Sequence, residues 1–352
     1  MSLTHVVGSL RKKLIRSRLG ASSCQQPFRF IDFQEFRMKI LIVGAGAIGG
    51  YYGARLLQAG ADVTFLVRPQ RAASLASSGL QVRSELGDFS GTVAAVVRED
   101  VKPAYDLIVL SCKAYDLDAA MRDIAPAMGP DTVILPFLNG MSVYDQLDAR
   151  FGRDRVLGGV AYIAVMLDQD RVIRHFGAND VVVVGARSEL TAHPAERFFA
   201  LISASQGSRT LSPDVTQALW NKWVMLGTGA LMTCLMRGTV ADILATRDGE
   251  RLTKQAIGEC CAVAEAESHA LSADDLRGLE ARLLDTRSTW AASMMRDIAQ
   301  DAPRLEAQAI VGDLIVRAER RTLELPLART AYCHLQVYEG QHAVAQLAPR
   351  MA

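Results

Sequence analysis

The chain has no C-x-x-C pair, no apolar run long enough to cross a bilayer and almost no excess of either charge. Its six cysteines, Cys24, Cys112, Cys234, Cys260, Cys261 and Cys333, are scattered. That excludes a disulfide or zinc framework and reads as reduced thiols in a cytoplasmic protein. The longest mostly apolar stretch, Trp223–Met236, is 14 residues bracketed by Lys222 and Arg237. A membrane span needs about 20, so a buried helix is predicted there and no membrane partner. Net charge is +1, which argues against a nucleic-acid binder working through a broad basic face. No Cys/His/acid spacing suggests a metal site.

What is present starts at Met38. Lys39–Val43 is a short apolar run of the kind buried in a parallel strand, Ala47–Ala59 reads as a helix, and Asp62–Val67 reads as a second strand. Between the first strand and the helix, Gly44, Gly46 and Gly49 form G-x-G-x-x-G, the spacing a dinucleotide site needs. Gly44 permits a tight turn, Gly46 lets the backbone approach a pyrophosphate, and Gly49 lets helix and strand pack closely. The first N–H groups of the helix, around Ala47 and Ile48, would face the phosphates. The second strand ends Leu66-Val67-Arg68, with Arg71 one helical turn on and no acid to accept from a ribose 2′-hydroxyl. A guanidinium pairs well with a 2′-phosphate, so Arg68 points to NADP.

At 352 residues, about two domains are expected. Residues 1–37 are basic and unlike a piece of the fold. They read as an extension upstream of a natural start at Met38, or else as a transit peptide. Strand patterns at 80–84 and 91–97 are predicted to pair around Gly87-Asp88. Asp106–Leu110 runs into Lys113 and Thr132–Leu135 into Asn139, placing both polar residues beyond strand carboxyl ends, where ligands bind. Val156–Val165, Val172–Phe176 and Val181–Gly185 are expected to complete the sheet. From about residue 212 the periodicity is helical, with Ser212-Pro213 and Asp301-Ala302-Pro303 as cap-and-proline starts. The predicted fold is therefore α/β: a doubly wound Rossmann-type domain over 38–211, then an all-α domain over 212–352, with a cleft between them.

Lys222 stands among large apolar residues, Leu219, Trp220, Trp223 and Val224. Desolvation there would lower its pKa toward neutrality, which suits a proton donor. Ser293 could hydrogen-bond a carboxylate, and Glu306 could orient Lys222 or accept its proton.

Taken together, these residues resemble ketopantoate reductase (2-dehydropantoate 2-reductase), over roughly Met38 to Val337. The marks are the GAGAIGG turn, Leu66-Val67-Arg68, Cys112-Lys113-Ala114, Asn139-Gly140-Met141, Trp220-x-Lys222, Ser293-Met294 with Asp297, and Glu306. The resemblance implies reduction of a 2-oxo acid by NADPH, as in pantothenate biosynthesis. It implies Arg68 on the 2′-phosphate, Lys113 and Asn139 along the nicotinamide and substrate, Lys222 as general acid, Ser293 on the substrate carboxylate and Glu306 as an essential acid. The best-known members carry asparagines four and eight residues after the lysine, where this chain has Leu226 and Ala230. The expected activity is thus ketopantoate reduction or, with the same mechanism, reduction of a less polar 2-oxo acid or ketone. A module that senses NADPH without turnover is the alternative of another class. A homodimer is compatible with the sequence.

Overall fold

The computed structural model describes residues 38–347, and the basic extension lies outside them. The chain enters through β1 (Lys39–Val43), turns into α1 (Ala47–Gln58), returns as β2 (Asp62–Leu66) and continues into α2 (Pro69–Ser78). There follow β3 (Leu80–Arg83), β4 (Phe89–Gly91), β5 (Ala94–Val96), β6 (Leu107–Leu110), α3 (Leu117–Ile124), β7 (Val133–Pro136) and α4 (Ser142–Phe151). β1, β6 and β7 are near-continuous apolar runs because helices or loops cover both their faces. The first sheet is parallel throughout, in the order β5-β2-β1-β6-β7. Its winding reverses between β1 and β6, and a crevice opens at their carboxyl ends.

The later strands do not complete this sheet, contrary to the sequence-based expectation. β8 (Gly158–Leu167) and β9 (Ile173–Gly185) pair antiparallel with each other, and β9 carries β3, β4 and β10 (Ser208–Leu211) in a second sheet. α5 (Ala192–Ile202) lies between β9 and β10 in the chain. The stretches predicted as two strands, 172–176 and 181–185, are one strand, and they satisfy β8 over a length that four-residue β7 cannot offer. The predicted pairing of 80–84 with 91–97 is also corrected. Of that region β4 pairs with β3, whose other neighbour is β9, and β5 crosses to the first sheet and covers the edge of β2.

Every described element from Val215 onward is helical: α6 (Val215–Met236), α7 (Val240–Leu244), α8 (Gly249–Ala266), α9 (Ala273–Leu283), α10 (Ser293–Ala299), a π-helical turn at Gln308–Gly312, α11 (Asp313–Arg320) and α12 (Pro326–Leu347). α6 is buried nearly all round, as an apolar helix at the centre of a domain must be. Among the described residues no helix is long and apolar enough to cross a membrane. The start of α6 is capped by Asp214, which accepts from the Gln217 N–H at 3.0 Å, and not by Ser212-Pro213. Pro303 opens no helix either, since helical structure resumes only after Glu306. One face of the first sheet, with Leu41, Ile108 and Ile134, shares a continuous core with Trp223, Val224 and Leu314 of the helical domain. The opposite face packs on α1, the second sheet and α5.

One polar cluster holds α1 to the second sheet. Asp180 accepts from the hydroxyls of Tyr51 and Tyr52, each at 3.0 Å, and pairs with Arg209 at 2.7 Å, its own side chain fully buried. Asp180→Ala leaves a buried guanidinium uncompensated and is expected to destabilise the fold by about 3–5 kcal/mol. Urea denaturation measures this; a loss under about 1 kcal/mol would show that the cluster is dispensable.

Candidate active site

The crevice between β1 and β6 is built around the glycine turn. Gly44 sits at φ +94°, where a side chain is strained. The Ser111 hydroxyl donates to the Val43 carbonyl at 2.8 Å and ties the end of β6 to the turn. A methyl group on Gly49 would lie 2.2 Å from both the Gly44 oxygen and Ser111 Oγ, so only hydrogen fits there. On Gly46 the same methyl would meet open space. α1 begins at Ala47 with no side-chain cap, leaving the first-turn N–H groups of Ala47, Ile48 and Gly49 to an outside anion. Open space before an uncapped helix start is what a dinucleotide pyrophosphate requires.

Arg68 follows the end of β2, as expected. Its side chain is 84% exposed and meets Asp116 at 3.5 Å. Arg71, in the first turn of α2, is buried and lies on the glycine turn, its Nε donating to the Ala45 carbonyl at 3.2 Å.

The residues beyond β6 and β7 meet the helical domain. Lys113 Nζ lies 2.9 Å from Asp297 Oδ2 and 3.2 Å from Glu306 Oε2. The other Glu306 oxygen accepts from the Ala114 N–H at 3.1 Å. Burial opposes the charge on Lys113, but Glu306 and then Asp297 outweigh it and hold the ammonium above its ordinary range. Asn139 lies after β7 and lines a pocket of about 10 Å³ with Lys222, Leu219, Trp223 and Leu226. Gly140, at φ +99°, brings this loop so close to Ala309 that a methyl group would lie 2.5 Å from the Ala309 carbonyl oxygen.

Lys222 is 8% exposed and makes no hydrogen bond among the described residues. Its ammonium lies 5.9 Å from the centre of the Tyr162 ring. Burial pulls its pKa down to about 8, against the opposing field of Glu306. The two residues are therefore coupled through space, and Glu306 spends its hydrogen bonds on Lys113 and Ala114 rather than on Lys222. Ser293 opens α10 one turn before Asp297, on the same helix face, and its hydroxyl bonds to none of the described residues. Leu226 lines the pocket, but Ala230 does not: it is fully buried in the helical core. Sequence reasoning assigned no role to Asp297 and passed over Tyr162. An acid on a short helix and an aromatic residue in a strand carry no signal until the fold sets them against Lys113 and Lys222.

Two family models match the chain: "Ketopantoate reductase PanE/ApbA" over residues 40–189 and "Ketopantoate reductase PanE/ApbA C terminal" over residues 214–339. An uncharacterised oxidoreductase, YkpB of Bacillus subtilis (strain 168), is 34% identical over 311 residues, covering 86% of this chain and 100% of the relative. The structure of 2-dehydropantoate 2-reductase from Geobacter metallireducens GS-15 superposes with a TM-score of 0.77 at 26% identity, covering 85% of this chain and 99% of that one. A D-mandelate dehydrogenase with NADH and anilino(oxo)acetate superposes with a TM-score of 0.78 at 21% identity, a likeness of fold, over 87% of this chain and 100% of that one.

The setting of Lys222 has a direct reading. Lysine-selective NMR is expected to find its ammonium titrating near 8, and Glu306→Gln is expected to lower that midpoint further, because the carboxylate favours the charged form. A midpoint above 10 would mean that solvent reaches the ammonium freely.

Proposed function

The chain belongs to the ketopantoate reductase PanE/ApbA family, and on that premise we propose that it reduces a 2-oxo acid with NADPH. It is an oxidoreductase of that family and takes a nicotinamide cofactor. The observation that carries the finer reading is Lys222. A buried ammonium with a pKa near 8, on the wall of a small pocket shared with Asn139, is matched to proton donation near neutral pH.

NADPH, when bound, would supply the hydride, and the remaining work falls to the chain. Gly44, Gly46 and the N–H groups of Ala47, Ile48 and Gly49 would hold the pyrophosphate, and Arg68 would meet the 2′-phosphate. As negative charge grows on the substrate oxygen, Lys222 stabilises it and delivers its proton, in a site from which large side chains exclude water. Glu306 keeps Lys222 charged through space while its own oxygens stay on Lys113 and Ala114. Lys113 and Asn139 would line the nicotinamide and the reacting carbonyl, and the Ser293 hydroxyl would donate to the substrate carboxylate.

The favoured substrate has a tail less polar than that of ketopantoate, which presents a carboxylate, a ketone and a hydroxyl. Leu226 lies on the pocket wall one turn after Lys222, beside Leu219 and Trp223. A hydroxyl facing these groups would lose its hydrogen bonds to water and gain none.

With NADPH and a panel of 2-oxo acids, loss of absorbance at 340 nm is expected to be fastest for alkyl or aryl tails and weak for ketopantoate. A clear preference for ketopantoate, with kcat/KM above about 10⁴ M⁻¹s⁻¹, would overturn the substrate assignment. Lys222→Ala is expected to cut kcat by about 10²- to 10⁴-fold with NADPH affinity near normal. A folded variant keeping most of its turnover would remove Lys222 from the mechanism.

A further inference from the structure

Buried guanidinium groups in this protein are mostly answered by carboxylates. Arg209 pairs with Asp180, Arg187 with Asp148, and Arg317 with Asp313 and Glu267. Arg55, without a carboxylate, is held through Nη1 by the Gly87 carbonyl and the Gln58 amide oxygen and by the face of Tyr51, while its Nε and Nη2 are buried with no partner. Arg71 is another guanidinium of this kind. It is 9% exposed, and among the described residues no carboxylate pairs with it. Its Nε donates to the Ala45 carbonyl at 3.2 Å, Nη1 reaches Ser74 Oγ at 3.4 Å, and Nη2 is buried with no partner.

Its surroundings are also of the wrong sign. Burial lowers the Arg71 pKa, and the charge of Arg171, in the turn between β8 and β9, lowers it further. A buried cation facing a second cation is costly unless an anion joins them. The place identifies the anion. Ala45 is the middle residue of Gly44-Ala45-Gly46, and α2 starts directly after β2, where dinucleotide sites read the 2′ position of the adenosine ribose. The pyrophosphate belongs to the start of α1. A 2′-phosphate carries nearly two charges and accepts several hydrogen bonds.

We propose that Arg71 is a binding residue for the 2′-phosphate of NADPH, fastened to the glycine turn through Ala45, with exposed Arg68 as its outer partner. A guanidinium already ordered loses less freedom on binding than the solvated Arg68 side chain. Arg71 therefore carries the larger share of the preference for NADPH over NADH. This rests on the NADPH reading above.

The test is the dissociation constant of NADPH and of NADH, measured by calorimetry for the wild type, Arg71→Gln, Arg71→Lys and Arg68→Gln, with melting temperatures alongside. Arg71→Gln is expected to weaken NADPH by about 10- to 100-fold and to leave NADH within about twofold; Arg68→Gln should lose less. Arg71→Lys keeps the charge without the fork and should fall between wild type and Arg71→Gln. Should Arg71→Gln not fold, a selective NADPH loss in Arg71→Lys supports the proposal in its place. Equal losses for both cofactors would make Arg71 a brace for the turn, and no loss for either would remove it from the site; both overturn the proposal while leaving a wild-type NADPH preference intact. A wild type that binds the two cofactors equally would instead overturn the NADPH reading, and this proposal with it.

Discussion

The carboxylate of Glu306 is the contact on which the site depends. One oxygen accepts from the Ala114 N–H and the other from the Lys113 ammonium, so the helical domain is latched to the carboxyl end of β6. Asp297 adds a second carboxylate to the same ammonium. The side chain of Glu306 is 5% exposed, and a buried carboxylate is stable only when it is paired and hydrogen-bonded in this way. The field left over acts on Lys222. Desolvation alone would drive that lysine toward its neutral form; the carboxylate opposes it and leaves the pKa at about 8. One ion-pair cluster thus sets the relation of the two domains and the protonation of the proposed acid.

Much of this was legible in the sequence because local rules governed it. The glycine turn, the two flanking strands and the helix between them obey constraints that act within some thirty residues, and the structure has them as read. The close approach at Gly49 and the open face at Gly46 are the steric facts behind the glycine spacing. Lys222 was recognisable from its neighbours, since a lysine between Trp220 and Trp223 on a buried helix has little choice of surroundings.

What was not legible depends on which distant segments meet. Periodicity identified β8 and β9 as strands but could not say that they would pair with each other and build a second sheet. The helix starts inferred from proline fell at the wrong residues: Asp214 caps α6, and the chain after Pro303 stays irregular until it has placed Glu306. Ala230 stands at the second of the two asparagine positions, yet eight residues along a helix carry it into the core while Leu226 stays on the pocket wall. Arg71 drew no role beside Arg68 because its contact with Ala45 joins two elements 26 residues apart.

The central claim is that a buried, charged Lys222, held so by Glu306, delivers the proton that accompanies hydride transfer. The pH dependence of kcat/KM for 2-oxo acid reduction tests it most directly. A group whose pKa is lowered to about 8 is protonated below that value and loses its proton above it, so the account predicts a plateau on the acid side and a tenfold fall per pH unit above about 8. A rate that stays level up to pH 10 would contradict it.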